Sequence, residues 1–80
     1  MNAIKENFTY KLTFIGGREA LIEGHKGISQ YGNNRIEIRI KGGLLVVSGE
    51  ELFICEINDQ EVYVKGDIRE IKVEKSGIKG

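Results

Sequence analysis

Short runs in which apolar and polar residues alternate constrain the fold of this chain more than any other feature. Residues 35–41 show the pattern most clearly, because three isoleucines alternate there with charged residues. Similar alternation occurs in three further segments, 10–14, 61–65 and 71–74. A period of two residues is typical of a β-strand with one buried face, and no segment of useful length has the period of an α-helix. The alternation therefore predicts an all-β fold.

Turn signals separate these runs at short intervals. The chain has 11 glycines and no proline, and Gly and Asn tolerate the positive φ angles of tight turns. The predicted turns are 16–17, 24–27, 33–34, 42–43, 49–51, 58–59 and 66–67. This spacing predicts a small antiparallel meander or β-sandwich of about seven to eight short strands.

A weak internal repeat leaves a second architecture open. Gly32, Gly49 and Gly66 are separated by 17 residues each. Successive hairpins of equal length would produce this spacing, and so would a short β-solenoid with a 17-residue repeat. We favour hairpins, because Gly-Gly and Asn-Asn pairs are typical of tight hairpin turns and so few repeats would be a minimal solenoid.

The alternation also predicts which side chains form the core. They are Leu12, Phe14, Leu21, Ile28, Ile36, Ile38, Ile40, Leu45, Val47, Phe53, Cys55, Ile57, Val62, Val64, Ile71 and Val73. Two segments, 44–47 and 52–55, are apolar at every position, so both of their faces need a cover. We expect that cover to come from a loop, from the N-terminal segment or from another chain.

Length and composition exclude several classes of protein. The 80 residues suffice for one domain, which we place at 8–75, with a short extension at 1–7 and a flexible tail at 76–80. Twelve basic residues balance twelve acidic ones, which argues against binding of nucleic acid through bulk charge. A single cysteine excludes an internal disulfide. No apolar run is long enough for a membrane helix, so we expect a cytoplasmic protein.

Few residues have the chemistry that catalysis requires. His25 lies in a turn flanked by glycines, where we expect it to bond to backbone groups rather than act as a base or metal ligand. Cys55 lies in an apolar strand, where a free cysteine packs as a small hydrophobic residue. The residues therefore predict a non-enzymatic domain with no catalytic residue, no metal and no cofactor.

Two segments carry a resemblance to a known family. They read IEGHKGI at 22–28 and GGLLVVSG at 42–49. Together with the segments at 12–16 and 61–68, and in this order and spacing, they resemble the YabP/YqfC family of sporulation proteins from endospore-forming bacteria. The resemblance covers about residues 8–74. It agrees with an all-β fold and implies no catalytic or cofactor-binding residue.

The resemblance implies a structural or adaptor role in the maturation of the spore envelope. Such a protein would act in the mother cell, be recruited to the forespore surface, and either associate with itself or bind a membrane-bound sporulation protein. The residues that we expect to contact a partner are His25, Lys26, Tyr31 and Arg39. The alternative is a small module that binds carbohydrate or single-stranded nucleic acid.

Overall fold

The computed structural model describes residues 10–75, and every regular element in that range is a β-strand. The strands are β1 (Lys11–Ile15), β2 (Glu19–Glu23), β3 (Ile28–Tyr31), β4 (Arg35–Ile40), β5 (Gly43–Ile57) and β6 (Glu61–Lys75). They form one open sheet in the order β1-β2-β6-β5-β4-β3, and all neighbours are antiparallel. The predicted all-β fold is confirmed. The predicted extension at 1–7 and tail at 76–80 lie outside the described residues.

The strand count is lower than the sequence predicted, and the solenoid alternative is wrong. Two predicted turns, at 49–51 and 66–67, do not reverse the chain, because β5 and β6 run through them as single strands of 15 residues each. The chain reverses at 58–60 instead, which joins β5 and β6 into one long hairpin. Antiparallel pairing throughout is incompatible with the parallel stacking of solenoid turns.

The long hairpin is bent near its middle. Its register shifts between Ser48 and Gly49 and again before Phe53, and Glu51 adopts a φ of 55°. Extra residues of this kind are β-bulges, which bend a strand and increase its twist. Gly66 lies opposite this region, and a Cβ atom there would lie 2.6 Å from the carbonyl oxygen of Glu51. The predicted turn glycines therefore mark a bend at which the two strands approach closely.

The bend divides the sheet into two arms that share one core. The first arm comprises β1, β2 and the adjoining halves of β5 (52–57) and β6 (61–66), and the second comprises β3, β4 and the remaining halves (43–48 and 70–75). Buried side chains from both arms form a single cluster: Ala20, Ile22, Leu52, Val62 and Val64 from the first, Ile36, Ile38, Ile40, Leu45 and Val47 from the second, and Ile68 at the bend. The sheet is therefore folded so that the two arms face each other.

The linker between β2 and β3 connects the two arms through backbone hydrogen bonds. Gly24 N–H donates to the Gln60 carbonyl in the first arm at 2.7 Å, and Lys26 N–H donates to the Arg39 carbonyl in the second at 2.8 Å. The chain thus crosses between the arms with both of these amides paired.

The predicted core is confirmed for β4 and partly wrong for the other strands. The confirmed residues are Ile36, Ile38, Ile40, Leu45, Val47, Val62 and Val64, and Leu21, Ile28 and Ile71 are half-buried. The exposed ones are Leu12, Phe14, Phe53, Cys55, Ile57 and Val73. Five further residues are buried although the alternation did not predict them: Ala20, Ile22, Val46, Leu52 and Ile68.

Register explains these errors. The bulges shift the alternation of β5 by one residue, so that Leu52 faces the core and Phe53 faces outward. In β2, Ile22 pairs with the buried Val62, which sets the inward face that the apolar pair at 21–22 left ambiguous. In β1, Leu12 shares a face with Ile22, but the strand lies at the sheet edge, where too little protein covers it.

Val46 shows how one of the doubly apolar segments is covered. It is fully buried although it faces away from the core, and it lies between Glu37 and Lys72 on the neighbouring strands. Arg35 bonds to Glu37 at 2.8 Å and extends towards Glu74 at 3.7 Å. Long charged side chains bury apolar surface with their stems while their charges stay in water. Charged residues of the sheet itself therefore flank Val46 on this face, and the N-terminal segment that was one expected cover lies outside the described residues.

Candidate protein-interaction site

His25 joins two segments of the backbone. Its Nδ1 accepts a hydrogen bond from Gly27 N–H at 2.9 Å, and its Nε2 lies 2.7 Å from the carbonyl oxygen of Asn58. Because Nδ1 accepts, the proton of the neutral ring is on Nε2, which donates to Asn58. The ring thus connects the linker after β2 to the turn between β5 and β6, and both of its nitrogens are occupied by backbone groups.

Three of the four residues predicted to contact a partner lie near one another. Arg39 N–H donates to the Gly27 carbonyl at 2.8 Å, directly beside Lys26 and His25, and the Arg39 guanidinium donates to the Ile28 carbonyl at 3.3 Å. Both Lys26 and Arg39 are exposed. The structure therefore places two cations beside the histidine at the junction of the linker and β4.

The fourth residue, Tyr31, lies elsewhere. It ends β3, five residues beyond Lys26 and hence about 16 Å along an extended chain. Its hydroxyl accepts a hydrogen bond from Ile54 N–H at 3.0 Å, although 57% of the residue is exposed. Tyr31 therefore connects the two arms at the open side of the sheet and does not share a surface with His25.

Cys55 is exposed, contrary to the prediction that it packs in the core. It occupies the last register shift of β5, between Ile54 and Glu56, and its thiol donates to the Tyr63 carbonyl at 3.5 Å. Cys55 and His25 therefore bond to different backbone groups and do not bond to each other. Within residues 10–75, no group of three or more His, Cys, Asp and Glu side chains could hold a metal ion.

Two arginines illustrate how positive charge is paired on this protein. Arg35 bonds to Glu37, and this hydrogen bond raises the pKa of the Arg35 guanidinium. Arg69 bonds to Asp67 at 2.9 Å and lies 3.6 Å from Glu50, and the hydrogen bond to Asp67 raises its pKa too. Cations that already face carboxylates are poor ligands for a phosphate backbone.

The first strand combines apolar side chains with an edge that no other described strand pairs with. All five residues of β1 are exposed, and within the described residues its sole neighbour in the sheet is β2. Leu12 and Phe14 lie on the core side, because they pair with the buried Ile22 and Ala20, whereas Ile15 lies on the opposite face. Exposed backbone groups flanked by apolar side chains are typical of an edge that accepts another strand.

A second apolar feature lies on the outer face of the first arm. Phe53 is 47% exposed and pairs with Lys65, which in turn pairs with Glu19. The Tyr63 hydroxyl donates to Glu19 at 2.7 Å, and the Lys65 ammonium lies 5.6 Å from the centre of the Tyr63 ring. The hydrogen bond to Glu19, with some burial, raises the pKa of Tyr63.

A shallow open cleft of about 290 Å³ adjoins this face. It is lined by Arg18, Glu19, Glu51, Phe53, Lys65, Gly66 and Asp67. Charges of both signs surround a single aromatic ring there, which is a suitable surface for a polar peptide and offers no nucleophile next to a base.

Sequence reasoning missed both apolar surfaces, although a signal for each was present. In β1 the residues Phe14 and Ile15 are apolar on successive positions, so one of them had to face away from the core. In β5 the segment 52–55 is apolar throughout, and a bulge decides which members point outward. The alternation at 45–47, extended through Gly49 without a shift, places Phe53 and Cys55 in the core, which is wrong.

The fold and the surfaces define a small antiparallel β-sheet protein whose described residues include an apolar edge strand. No helix in that part of the chain is long and apolar enough to cross a bilayer. The chain belongs to the YabP family, whose model matches residues 6–80. It is also similar to the "Uncharacterized protein YqfC" of Bacillus subtilis (strain 168), with 26% identity over 66 residues, which are 82% of this chain and 71% of that protein. No solved structure matches the chain.

The family match confirms the predicted resemblance, and the structure shows where its two most distinctive segments lie. Residues 22–28 contain the end of β2, the His25 contacts and the first residue of β3. Residues 42–49 contain the turn into β5 and extend to the bend of the long hairpin. Residues 22–28 therefore span the linker between the two arms, and residues 42–49 run along the second arm and end at the bend.

Proposed function

We propose that this chain is a non-enzymatic sporulation protein that acts as an adaptor during maturation of the spore envelope. Membership of the YabP family over residues 6–80 is the observation that carries the proposal, because the family suggests an association with sporulation. The adaptor binds a protein partner, either a membrane-bound sporulation protein or a second copy of itself, in the mother cell at the forespore surface.

The surface chemistry supports a protein partner over the alternative ligands. Among residues 10–75, β1 has backbone groups beside Leu12 and Phe14 that no other strand pairs with, and strand addition obtains its affinity from such groups. Arg35 and Arg69 are already paired with carboxylates, which weakens the case for nucleic acid. An apolar edge likewise favours a peptide strand over a carbohydrate.

Fluorescence imaging of a tagged copy in its sporulating host tests this function. We expect a shell or focus on the engulfed forespore that appears only after engulfment begins. The untagged fluorescent protein, expressed from the same promoter, is the control and should stay diffuse. A diffuse signal for the tagged chain that does not change at sporulation would contradict the proposal.

If the partner binds the β1 edge, charge substitutions on β1 and on β3 should affect localisation differently. The variant Phe14→Glu places a charge on the core side of the β1 edge, whereas Gln30→Glu places the same charge on the exposed edge strand β3. We expect Phe14→Glu to lose the forespore signal and Gln30→Glu to keep it, with both proteins present at equal levels on immunoblots. Equal localisation of both variants would show that β1 does not contact the partner.

A further inference from the structure

The two edges of the sheet differ in how they are protected against pairing with another strand. β3 has four residues, and its register shifts between Ile28 and Gln30, which are common protections of an edge. β1 pairs with β2 in an unbroken register over all five residues, and its exposed side chains include Leu12 and Phe14. Without a bulge or a proline, β1 is the less protected edge.

The backbone of β1 shows which of its groups face the open edge. The Ile15 carbonyl accepts a hydrogen bond from Arg18 N–H at 3.1 Å, so it points towards β2. The N–H and C=O groups of successive strand residues point to opposite sides. Leu12 and Phe14 therefore direct their backbone groups away from β2, towards the open edge.

This arrangement is complementary to itself. If a second copy pairs antiparallel about a two-fold axis at Thr13, Leu12 lies opposite Phe14 of that copy and can exchange two hydrogen bonds with it. Thr13 lies opposite Thr13, and Lys11 lies opposite Ile15, so no like charges meet. Apolar cross-strand pairs of this kind stabilise a sheet.

Other registers pair less of the strand or oppose like charges. An axis at Leu12 or at Phe14 would also form hydrogen bonds, but it would pair part of β1 with residues beyond the β1 of the second copy. An axis at Lys11 would place two lysines opposite each other, which destabilises a strand pair. An axis at Ile15 would run each strand into the turn at Gly16, whose φ of 59° departs from strand geometry. The axis at Thr13 pairs all five residues of β1 with those of the second copy.

We propose that two copies of this chain form a homodimer by pairing β1 with β1 about Thr13, so that the two six-stranded sheets become continuous. The inference rests on the self-association in the proposed function and assigns it to one edge and one register. Leu12 and Phe14 of each copy then cover one another on the core side of the joined sheet. The arrangement is isologous, as closed two-fold dimers are.

Charge substitution at the axis tests the register. Thr13→Lys and Thr13→Glu each place like charges opposite each other, and we expect the dissociation constant of each variant to rise roughly tenfold or more in sedimentation equilibrium of the full chain. An equimolar mixture of the two should form a heterodimer at least as tight as the wild type. Gln30→Lys and Gln30→Glu on β3 are the controls and should remain dimeric.

Crosslinking provides a second readout that does not depend on affinity. In a Cys55→Ser background, Thr13→Cys should form a disulfide-linked dimer on oxidation, because opposed residues of a non-hydrogen-bonded pair have Cα atoms about 4.5 Å apart. Gln30→Cys in the same background should stay uncrosslinked.

Three results would overturn the dimer. They are a wild-type chain that stays monomeric across the micromolar range, Thr13 variants as dimeric as the Gln30 controls, and a Thr13→Lys and Thr13→Glu mixture no tighter than either alone. Circular dichroism establishes that each variant is folded. These measurements use purified protein, so their failure is separate from a failure to localise in sporulating cells.

Discussion

At the scale of the residue, His25 links parts of the chain that are distant in sequence. Its ring bonds to Gly27, two residues away, and to Asn58, 33 residues away. Both partners are backbone groups in connections rather than in strands, so the ring fixes how the linker after β2 meets the turn between β5 and β6. A role in contacting a partner stays a prediction for this residue.

Removal of the His25 ring should therefore lower stability. We expect His25→Ala to reduce the free energy of unfolding by about 1 kcal/mol, because two backbone groups lose their partner. Lys26→Ala is the matched control in the same linker, and since its side chain is exposed we expect a change within about 0.5 kcal/mol. Urea denaturation followed by circular dichroism measures both. Equal stability of the two variants would contradict a structural role for the ring.

The Tyr63 phenol should report its hydrogen bond to Glu19 through its ionisation. The folded pKa of Tyr63 is raised by that bond, so the bond contributes stability that is fully present below the ordinary pKa of tyrosine, about 10. This contribution is lost as the pH rises through the raised pKa. We expect Glu19→Gln to lower the pH at which Tyr63 ionises.

Absorbance titration near the tyrosinate band measures this shift. The signal of Tyr63 is the difference between each protein and its Tyr63→Phe derivative. The control is Glu61→Gln, which removes a different carboxylate from an adjoining position of β6. A Tyr63 titration that does not move in Glu19→Gln would refute the role of this bond.

At the scale of the element, the β5–β6 hairpin decides the shape of the sheet. Its two strands would form a straight ribbon if their pairing register were regular. Bulges near Gly49 shift that register and bend the hairpin. A Cβ at Gly49 would overlap with the Asp67 carbonyl. The glycine therefore permits the close approach of β5 and β6 at the bend.

Gly49→Ala should consequently be costly. We expect it to lower the free energy of unfolding by about 2 kcal/mol or more, because the added carbon has to displace backbone. Gly32→Ala is the matched control, because Gly32 belongs to the same series of glycines 17 residues apart. A Cβ atom at Gly32 would lie 3.4 Å from its nearest neighbour, the Arg35 carbonyl oxygen. We expect that control to change stability by less than about 0.5 kcal/mol. Similar losses in both variants would contradict the assignment of the bend to Gly49.

At the scale of the whole molecule, the two arms should unfold together. Ile22 in the first arm and Ile38 in the second are both fully buried in the same cluster. A domain with one core usually unfolds in a single cooperative transition. Because the buried residues of both arms belong to one cluster, we expect the folded sheet to unfold as one unit.

Conservative truncations in each arm test whether the two arms unfold together. We expect Ile22→Val and Ile38→Val each to lower the stability of one shared transition by about 0.5–1.5 kcal/mol. The control Ile57→Val truncates a residue that is 49% exposed and should have a smaller effect. Urea denaturation followed both by tyrosine fluorescence and by circular dichroism should give coincident curves. Two separate transitions would show that the arms fold independently.

Local chemistry was sufficient to predict much of this protein from its sequence. The alternation at 35–41 predicted a strand with three isoleucines inward, because a period of two places them on one face. The turns at 16–17, 33–34 and 58–59 were predicted because Gly and Asn adopt turn conformations at little cost. The order and spacing of several short segments were sufficient to indicate the family.

Tertiary structure alone decided the bend, the inward face of several strands and the exposed edge. Gly49 and Gly66 have the same local signature as true turn glycines, and only the pairing of β5 with β6 shows that the chain continues through them. The buried face of β2 follows from its pairing with β6, because Leu21 and Ile22 are equally apolar. Leu12 and Phe14 are exposed since β1 lies at the edge, and the position of a strand in a sheet is set by long-range hydrogen bonds that no local pattern records.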